Sequence, residues 1–342
     1  MTSTRPLDAL RAGDEGEFGG KSTGLGELLA AGIPVPPGFA VAAGAYRAFL
    51  AEAGLVRTVA DHAGRVDAAD VDSVGAASRA IGEAMRSAPV PDGLRAEIAE
   101  RYDALGTDEP VAVRSSALGE DSAEATFAGQ QETYLWVRGV DHVCDAMRDC
   151  WVSLFSAPAL SYRARLGGPE PAMGVTVQLM VDALVSGVLF TCNPVSGDPS
   201  MVAINASWGL GLAVVGGEVT PDDYLVSKVT RAVVREHVST KDVQYVPDPG
   251  GRGAIRVDVP RELRDVPCLD AGQLTALADL ARRIERHFGS HQDVEWAIDR
   301  AGAIHVLQSR PVTAAARPQA TPPADALSLV MSTFGVMPKE NR

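Results

Sequence analysis

Residues 293–310 read DVEWAIDRAGAIHVLQSR, two alternating segments on either side of a short polar break, which is the pattern of an antiparallel hairpin. With Ala301-Gly302 at the centre of the turn, Glu295 falls opposite Gln308. Side-chain alternation then gathers Asp293, Glu295, Gln308 and Arg310 on one face. A carboxylate and a carboxamide about 5 Å apart across a strand pair are hard oxygen ligands. They suit a Mg2+ ion held together with phosphates, and the guanidinium of Arg310 can fork onto a phosphate. The same residues also describe a solvated polar face with an incidental ion pair, and the pattern alone does not choose. The opposite face collects Val294, Trp296, Ile298 and Leu307; His305 and Ser309 also fall there and fit it less well.

Three further stretches carry candidate chemistry. EGEFGGKSTGL, residues 15–25, contains a Gly-Gly-Lys-Ser-Thr run, but Glu15 stands where a P-loop needs its first glycine, and no apolar strand leads in. Lys21 nevertheless precedes Leu25, Leu28 and Leu29 at helical spacing, and a helix capped by Ser22 or Thr23 would attract an anion to its N-terminus. In VAVRSSALGEDSAEATFAGQQETYLWV, residues 111–137, Arg114 ends a strand and about fifteen mostly small or polar residues follow. Such a segment suits a mobile cover that keeps water from phosphates; a surface loop without a role is the alternative. Gln178 lies inside the apolar strand VTVQLMVDA and needs a partner there, either in the protein or in a ligand. His287 and His291 are interrupted by Gly289, and no carboxylate–His–Ser order suggests a hydrolase triad.

These groups need a scaffold. Residues 23–109 read mainly as helix, with Pro34, Pro36 and Pro37 as a rigid connector after Gly32. From about Glu109 short β-branched segments take over (PVAVRSS, QETYLWV, GVTVQLMV, SGVLFT, MVAINAS and YLVSKV), and a helix returns at 272–288 before the closing hairpin. This is an α+β chain with a helical front and a sheet-rich body, and it lacks the repeated βαβ units of a Rossmann domain. The expected division is 1–110, 111–313 and an Ala/Pro linker with a weakly apolar tail, 314–342.

Bulk properties narrow the partners. A net charge of −13 argues against a broad nucleic-acid or anionic-membrane surface. Residues 173–192 hold one charge, Asp182, and read as two buried strands joined by a turn near Asp182 and Gly187, not a membrane span. Cys144, Cys150, Cys192 and Cys268 have no metal-ligand rhythm and read as reduced thiols of a cytoplasmic protein.

Taken in order, GGKSTGLGELLAAGIPVPPGF, VAVRSSALGEDSAEATFAGQQETYL, FTCNPVSGD, INASWGLG, VTPDDYLV and QDVEWAID…LQSRPVT resemble the nucleotide-binding domain of the phosphoenolpyruvate synthase, pyruvate phosphate dikinase and rifampicin phosphotransferase family, over residues 15–313. The resemblance implies an ATP-grasp fold with ATP between two subdomains. It places Lys21 and Arg114 on the phosphates, Gly129 and Thr133 near the nucleotide on the covering loop, and Gln178 near the adenine. It gives Mg2+ to Glu295 and Gln308, and the phosphates again to Arg310. It further implies phosphoryl transfer to a histidine on a swivelling domain, with AMP and phosphate as products. Neither that histidine motif nor the acidic residue usual after GLG is seen: Leu212 stands there, with Glu218 six residues on. The expectation is a free-standing ATP subunit similar to those of split phenylphosphate synthase-like systems. A partner polypeptide would carry the histidine and a small acceptor, an aromatic alcohol, phenol or pyruvate. A catalytically silent nucleotide-binding regulator and an ATP-grasp ligase are the rival readings.

Overall fold

A computed structural model of the chain describes residues 2–118, 132–167, 171–251 and 253–312. Most of the expected covering loop, including Gly129, and the linker and tail 314–342 lie outside the described residues. Two compact units emerge. One is built from Met1–Glu27, Pro37–Met180 and Gly251–Gly253, the other from Leu28–Pro36, Val181–Gly250 and Ala254–Arg342.

Among the described residues the first unit holds an antiparallel sheet of β1 (Thr4–Pro6), β2 (Gly38–Val41), β3 (Val111–Ala117), β4 (Thr133–Val137) and β5 (Met173–Leu179), in the order β1-β2-β5-β3-β4. Alternation gives this sheet two unlike faces. Phe39, Val41, Val111, Val113, Val175 and Val177 point into a core with Tyr46, Phe49, Ile81, Met85, Ile98 and Trp151. Those residues come from α3 (Ala43–Glu52), α5 (Val71–Ser87), α6 (Asp92–Asp103) and α7 (Val140–Ser153); α4 (Val56–Gly64) and α8 (Ala157–Leu166) belong to the same helical layer. The other face carries Thr176, Gln178, Arg114 and Ser116. The reading of 23–109 as mainly helical missed β2, where a four-residue run after three prolines is too short for periodicity to register.

The second unit's main sheet comprises β6 (Ala183–Phe190), β7 (Met201–Trp208), β8 (Asp222–Ser227), β9 (Val233–His237), β12 (Gln292–Asp299) and β13 (Ile304–Pro311), in the order β13-β12-β6-β7-β8-β9. A separate ribbon pairs β10 (Val243–Pro247) with β11 (Ala254–Asp258). The expected helix at 272–288 is α10 (Ala271–Phe288), which packs against β12 and β8. Asp270 caps it, its Oδ1 accepting the Gln273 N–H at 2.8 Å, and Gly289 ends it at φ +68°.

Residues 173–192 are two strands, as expected, but they do not pair with each other. β5 joins the first sheet and β6 the second, with the break at residues 180–182. Gly187 is not in the turn: it lies within β6, where a Cβ would meet the Asn205 carbonyl oxygen at 1.8 Å and the Trp296 ring at 2.8 Å. Only glycine fits that approach.

A buried ion pair fixes the start of β8. Asp222 and Lys241 are both fully buried and 2.5 Å apart. Asp222 Oδ1 also accepts the Ser239 N–H at 3.0 Å, and its Oδ2 accepts the Cys268 N–H at 2.8 Å and the Tyr224 hydroxyl at 3.3 Å. Lys241 Nζ donates in addition to the Ser239 carbonyl at 2.7 Å. The carboxylate is thus surrounded by donors on both oxygens, the condition under which burying it is tolerable. Among the described residues no helix is long and apolar enough to cross a membrane.

Candidate nucleotide and metal site

Lys21 sits in the first turn of α2 (Gly20–Ala30). The helix starts there because Gly19, at φ +81°, lets the chain run against β3; a Cβ at this position would stand 2.4 Å from the Ser116 carbonyl oxygen. Ser22 then pins the turn to the sheet, its N–H donating to Ser116 Oγ at 3.2 Å and its hydroxyl meeting Thr176 Oγ1 at 2.7 Å. Neither Ser22 nor Thr23 is a cap, contrary to expectation. Both lie inside the helix, and the Thr23 hydroxyl donates back to the Gly19 and Gly20 carbonyls, each at 3.1 Å. The Lys21 side chain is 6% exposed, and its Nζ donates to the Ser115 carbonyl at 3.1 Å.

Arg114 does not end its strand; β3 continues to Ala117. The residue is half-buried, paired with Thr176 on β5 and with Thr133 on β4, so these three share a face. Gln178, 2% exposed, is opposite Ala112 and Gly38 on that same face. Within this unit, then, Arg114, Thr133 and Gln178 share the face turned away from the helical core, while the Lys21 amine is held at the Ser115 carbonyl of β3. Gly129 lies outside the described residues.

In the other unit the closing hairpin pairs Glu295 with Gln308 and Asp293 with Arg310, the register expected from the sequence. The route to it differs. Nearer the turn the pairing is Ile298 with Ile304 and Trp296 with Val306, and a bulge between Glu295 and Trp296 absorbs Leu307. The core residue on β13 is accordingly Val306, fully buried, in place of the expected Leu307, which is only half-buried. Asp299 shapes the turn, its Oδ1 accepting the N–H groups of Ala301 and Ala303 at 2.9 Å. The His305 ring on its other oxygen and these bonds hold its carboxyl below the usual range.

Arg310 donates from Nε to Asp293 Oδ2 at 3.0 Å, and its Nη2 lies 3.0 Å from the same oxygen in an ion pair. Burial pushes the Asp293 carboxyl up to about 6, with Arg310 opposing the rise. Two acceptors on this face, Gln308 Oε1 and Asp293 Oδ1, are buried without a hydrogen-bond partner among the described residues. Orphaned hard oxygens beside the Glu295 carboxylate are what a divalent cation requires. Among the described residues no three His, Cys, Asp or Glu side chains converge as a metal cage. That composition fits an ion completed by phosphate oxygens and water.

Strand pairing extends the polar row further than sequence reasoning reached. Glu295 pairs with Val188, Val188 with Asn205, and Asn205 with Asp223, so all four share the face of Gln308. Asn205 and Ser207 carried a faint signal, two polar residues at alternate positions in the apolar run VAINAS, but nothing in the sequence told which strands flank it. Leu212 opens the short helix α9 (Leu212–Val215). The Glu218 carboxylate accepts the Tyr245 hydroxyl at 2.8 Å and lies 3.3 Å from Arg256, so it is already engaged by the β10–β11 ribbon.

Helices layered on one antiparallel sheet, with a second sheet that ends in the polar hairpin, give the α+β architecture of an ATP-grasp-type fold. Residues 15–329 match the family described as pyruvate phosphate dikinase, AMP/ATP-binding domain, and the chain belongs to that family of phosphotransferases. It is 43% identical over 314 residues to the probable phosphoenolpyruvate synthase of Methanothermobacter thermautotrophicus, covering 90% of this chain and 45% of that one. It is also 38% identical over 352 residues to the phosphoenolpyruvate synthase of Pyrococcus furiosus, covering 90% and 43%. The chain thus spans less than half the length of these relatives.

Proposed function

We propose that this chain binds MgATP and carries out the ATP half of a dikinase-type phosphoryl transfer. It would deliver a phosphoryl group, by family analogy the β-phosphoryl, to a histidine on a partner polypeptide, with AMP and phosphate as products. A small organic acceptor, an aromatic alcohol, phenol or pyruvate, would be phosphorylated in turn on that partner, in the cytoplasm. The observation that carries this reading is the Glu295–Gln308 pair with its orphaned acceptor, flanked by the Asp293–Arg310 ion pair. Glu295 and Gln308 would hold Mg2+, with Asp293 beside them. The ion supplies charge neutralisation for the phosphates. Lys21, Arg114 and Arg310 would bind and orient the phosphate oxygens, since phosphoryl transfer asks a protein mainly for positioning and electrostatics. Gln178 would contact the adenine, and Gly129 and Thr133 the nucleotide near the covering segment.

A second reading is a nucleotide-binding regulator without chemistry. It is favoured by Leu212 in place of a carboxylate and by Glu218 being held by Tyr245 and Arg256. Incubation of the chain and its histidine-bearing partner with ATP labelled at the β-phosphate separates the two. Label on the partner with release of AMP supports the enzyme; tight binding with no AMP supports the regulator. Release of ADP would instead indicate a ligase.

A further inference from the structure

Strand β7 places two polar side chains on the metal-site face that the phosphate chemistry leaves unused. Asn205 is 7% exposed and Ser207 1%, and alternation puts both on the face of Glu295 and Gln308. The orientation of the Asn205 amide follows from its neighbour. Asp223 Oδ1 is held by the Arg235 guanidinium at 2.9 Å from Nε and 2.6 Å from Nη2, which uses the side chain as an acceptor in an ion pair. Asn205 meets Asp223 Oδ2 at 3.4 Å and must therefore offer its NH2 group there. With the NH2 group committed to Asp223, the Asn205 carbonyl oxygen is the end of the amide left to accept from a ligand. Ser207 Oγ is buried with no hydrogen-bond partner among the described residues, while the neighbouring Ser186 hydroxyl is spent on the Gly209 carbonyl at 2.6 Å.

The pair offers a neutral carbonyl acceptor and a hydroxyl. A carbonyl oxygen repels phosphate oxygens, so this end of the row does not select a further phosphate. It selects an uncharged donor such as a sugar hydroxyl. Asn205 stands two strand spacings, about 10 Å, from Glu295, a separation comparable to that between the ribose and the terminal phosphates of a nucleotide. We propose that Asn205 and Ser207 recognise the ribose hydroxyls and select ribonucleotides over deoxyribonucleotides, with Asp223 as the positioning residue that orients the Asn205 amide. This rests on the MgATP reading above.

The test is calorimetric titration of the full chain with ATP, 2′-deoxy-ATP and 3′-deoxy-ATP in Mg2+. Wild type should bind ATP about tenfold more tightly than at least one deoxy analogue, the value of one net hydrogen bond to a buried group. Ser207→Ala and Asn205→Leu should weaken ATP by about that factor, leave the discriminated analogue nearly unchanged, and bring the ratio close to one. Asp223→Asn, which frees the amide to turn over, should lower the ratio with little effect on the deoxy analogue. Loss of affinity for all three nucleotides in parallel, or a wild-type ratio of one, overturns the proposal while leaving ATP binding intact. A wild-type chain that binds no ATP at all overturns the MgATP reading itself and this one with it.

Discussion

Substitutions at the Asp222–Lys241 pair should be unequal in their cost, and the inequality can be worked from the contacts. Asp222→Ala leaves Lys241 as a buried cation with only the Ser239 carbonyl, and strips the acceptor from the Ser239 and Cys268 N–H groups. Breaking a buried pair costs about 3–5 kcal/mol, and each orphaned donor adds to it, so a loss of about 5 kcal/mol or slightly more is expected. Lys241→Met leaves the carboxylate with two backbone N–H groups and the Tyr224 hydroxyl, and the loss should stay near 3 kcal/mol. The double variant should cost less than the two single losses together, by about 2 kcal/mol, because each single variant suffers from the charge that the double removes. Urea unfolding gives the three values, and amide exchange across residues 222–227 and 239–241 locates the loss in this unit. Equal costs, a worse Lys241→Met, or strict additivity would falsify the account of the carboxylate as the centre of the network.

Lys21→Ala should raise the dissociation constant for ATP by roughly tenfold to a hundredfold, the worth of a charged hydrogen bond; an unchanged value in calorimetry removes Lys21 from the phosphate set. Gln308→Ala should raise the Mg2+ concentration needed for half-maximal ATP binding by about tenfold, while an effect independent of Mg2+ would take the carboxamide off the metal. Gly187→Ala should destabilise the protein by about 3 kcal/mol, because its methyl group meets backbone at 1.8 Å; near-wild-type thermal stability would contradict the packing. The raised Asp293 pKa predicts a pH effect of definite sign. The fold binds this proton more tightly than the unfolded chain does, so the contribution is fully favourable below the unfolded value of 3.8 and is lost as pH rises through about 6. A shift of this size is on the order of 3 kcal/mol. Asp293→Asn should therefore gain stability relative to wild type between pH 4 and 7, and a difference that stays flat over that range would show that Asp293 ionises normally.

The closing hairpin was legible because alternation is an immediate property of a strand: once two such segments flank a turn, partners follow by counting. The same counting misassigned Leu307, since a bulge leaves no mark on the hydrophobic pattern. The polar row beyond Glu295 was out of reach for a different reason. Asn205 and Glu295 are 90 residues apart in the chain, and only the order β12-β6-β7-β8 makes them neighbours on one face. Strand order is set by long-range packing, to which local spacing is blind. Residues 173–192 make the same point: the two strands were evident, but their departure into different sheets was not, because a short connection between apolar runs looks alike whether the chain turns back or moves on.

The surplus residue in the closing hairpin gives that element some tolerance to changes in length. Between the tip and the bulge the partners run one position out of step with those beyond it, so excising Leu307 would leave Gln308 still facing Glu295. Equally, loss of one residue at the tip could be accommodated by flattening the bulge, and again the ligand-bearing ends would keep their places. Shortening the loop tip by a residue therefore need not rewrite the chemistry at the far end, as long as the Val306 amide keeps its 2.8 Å tie to the Pro34 carbonyl.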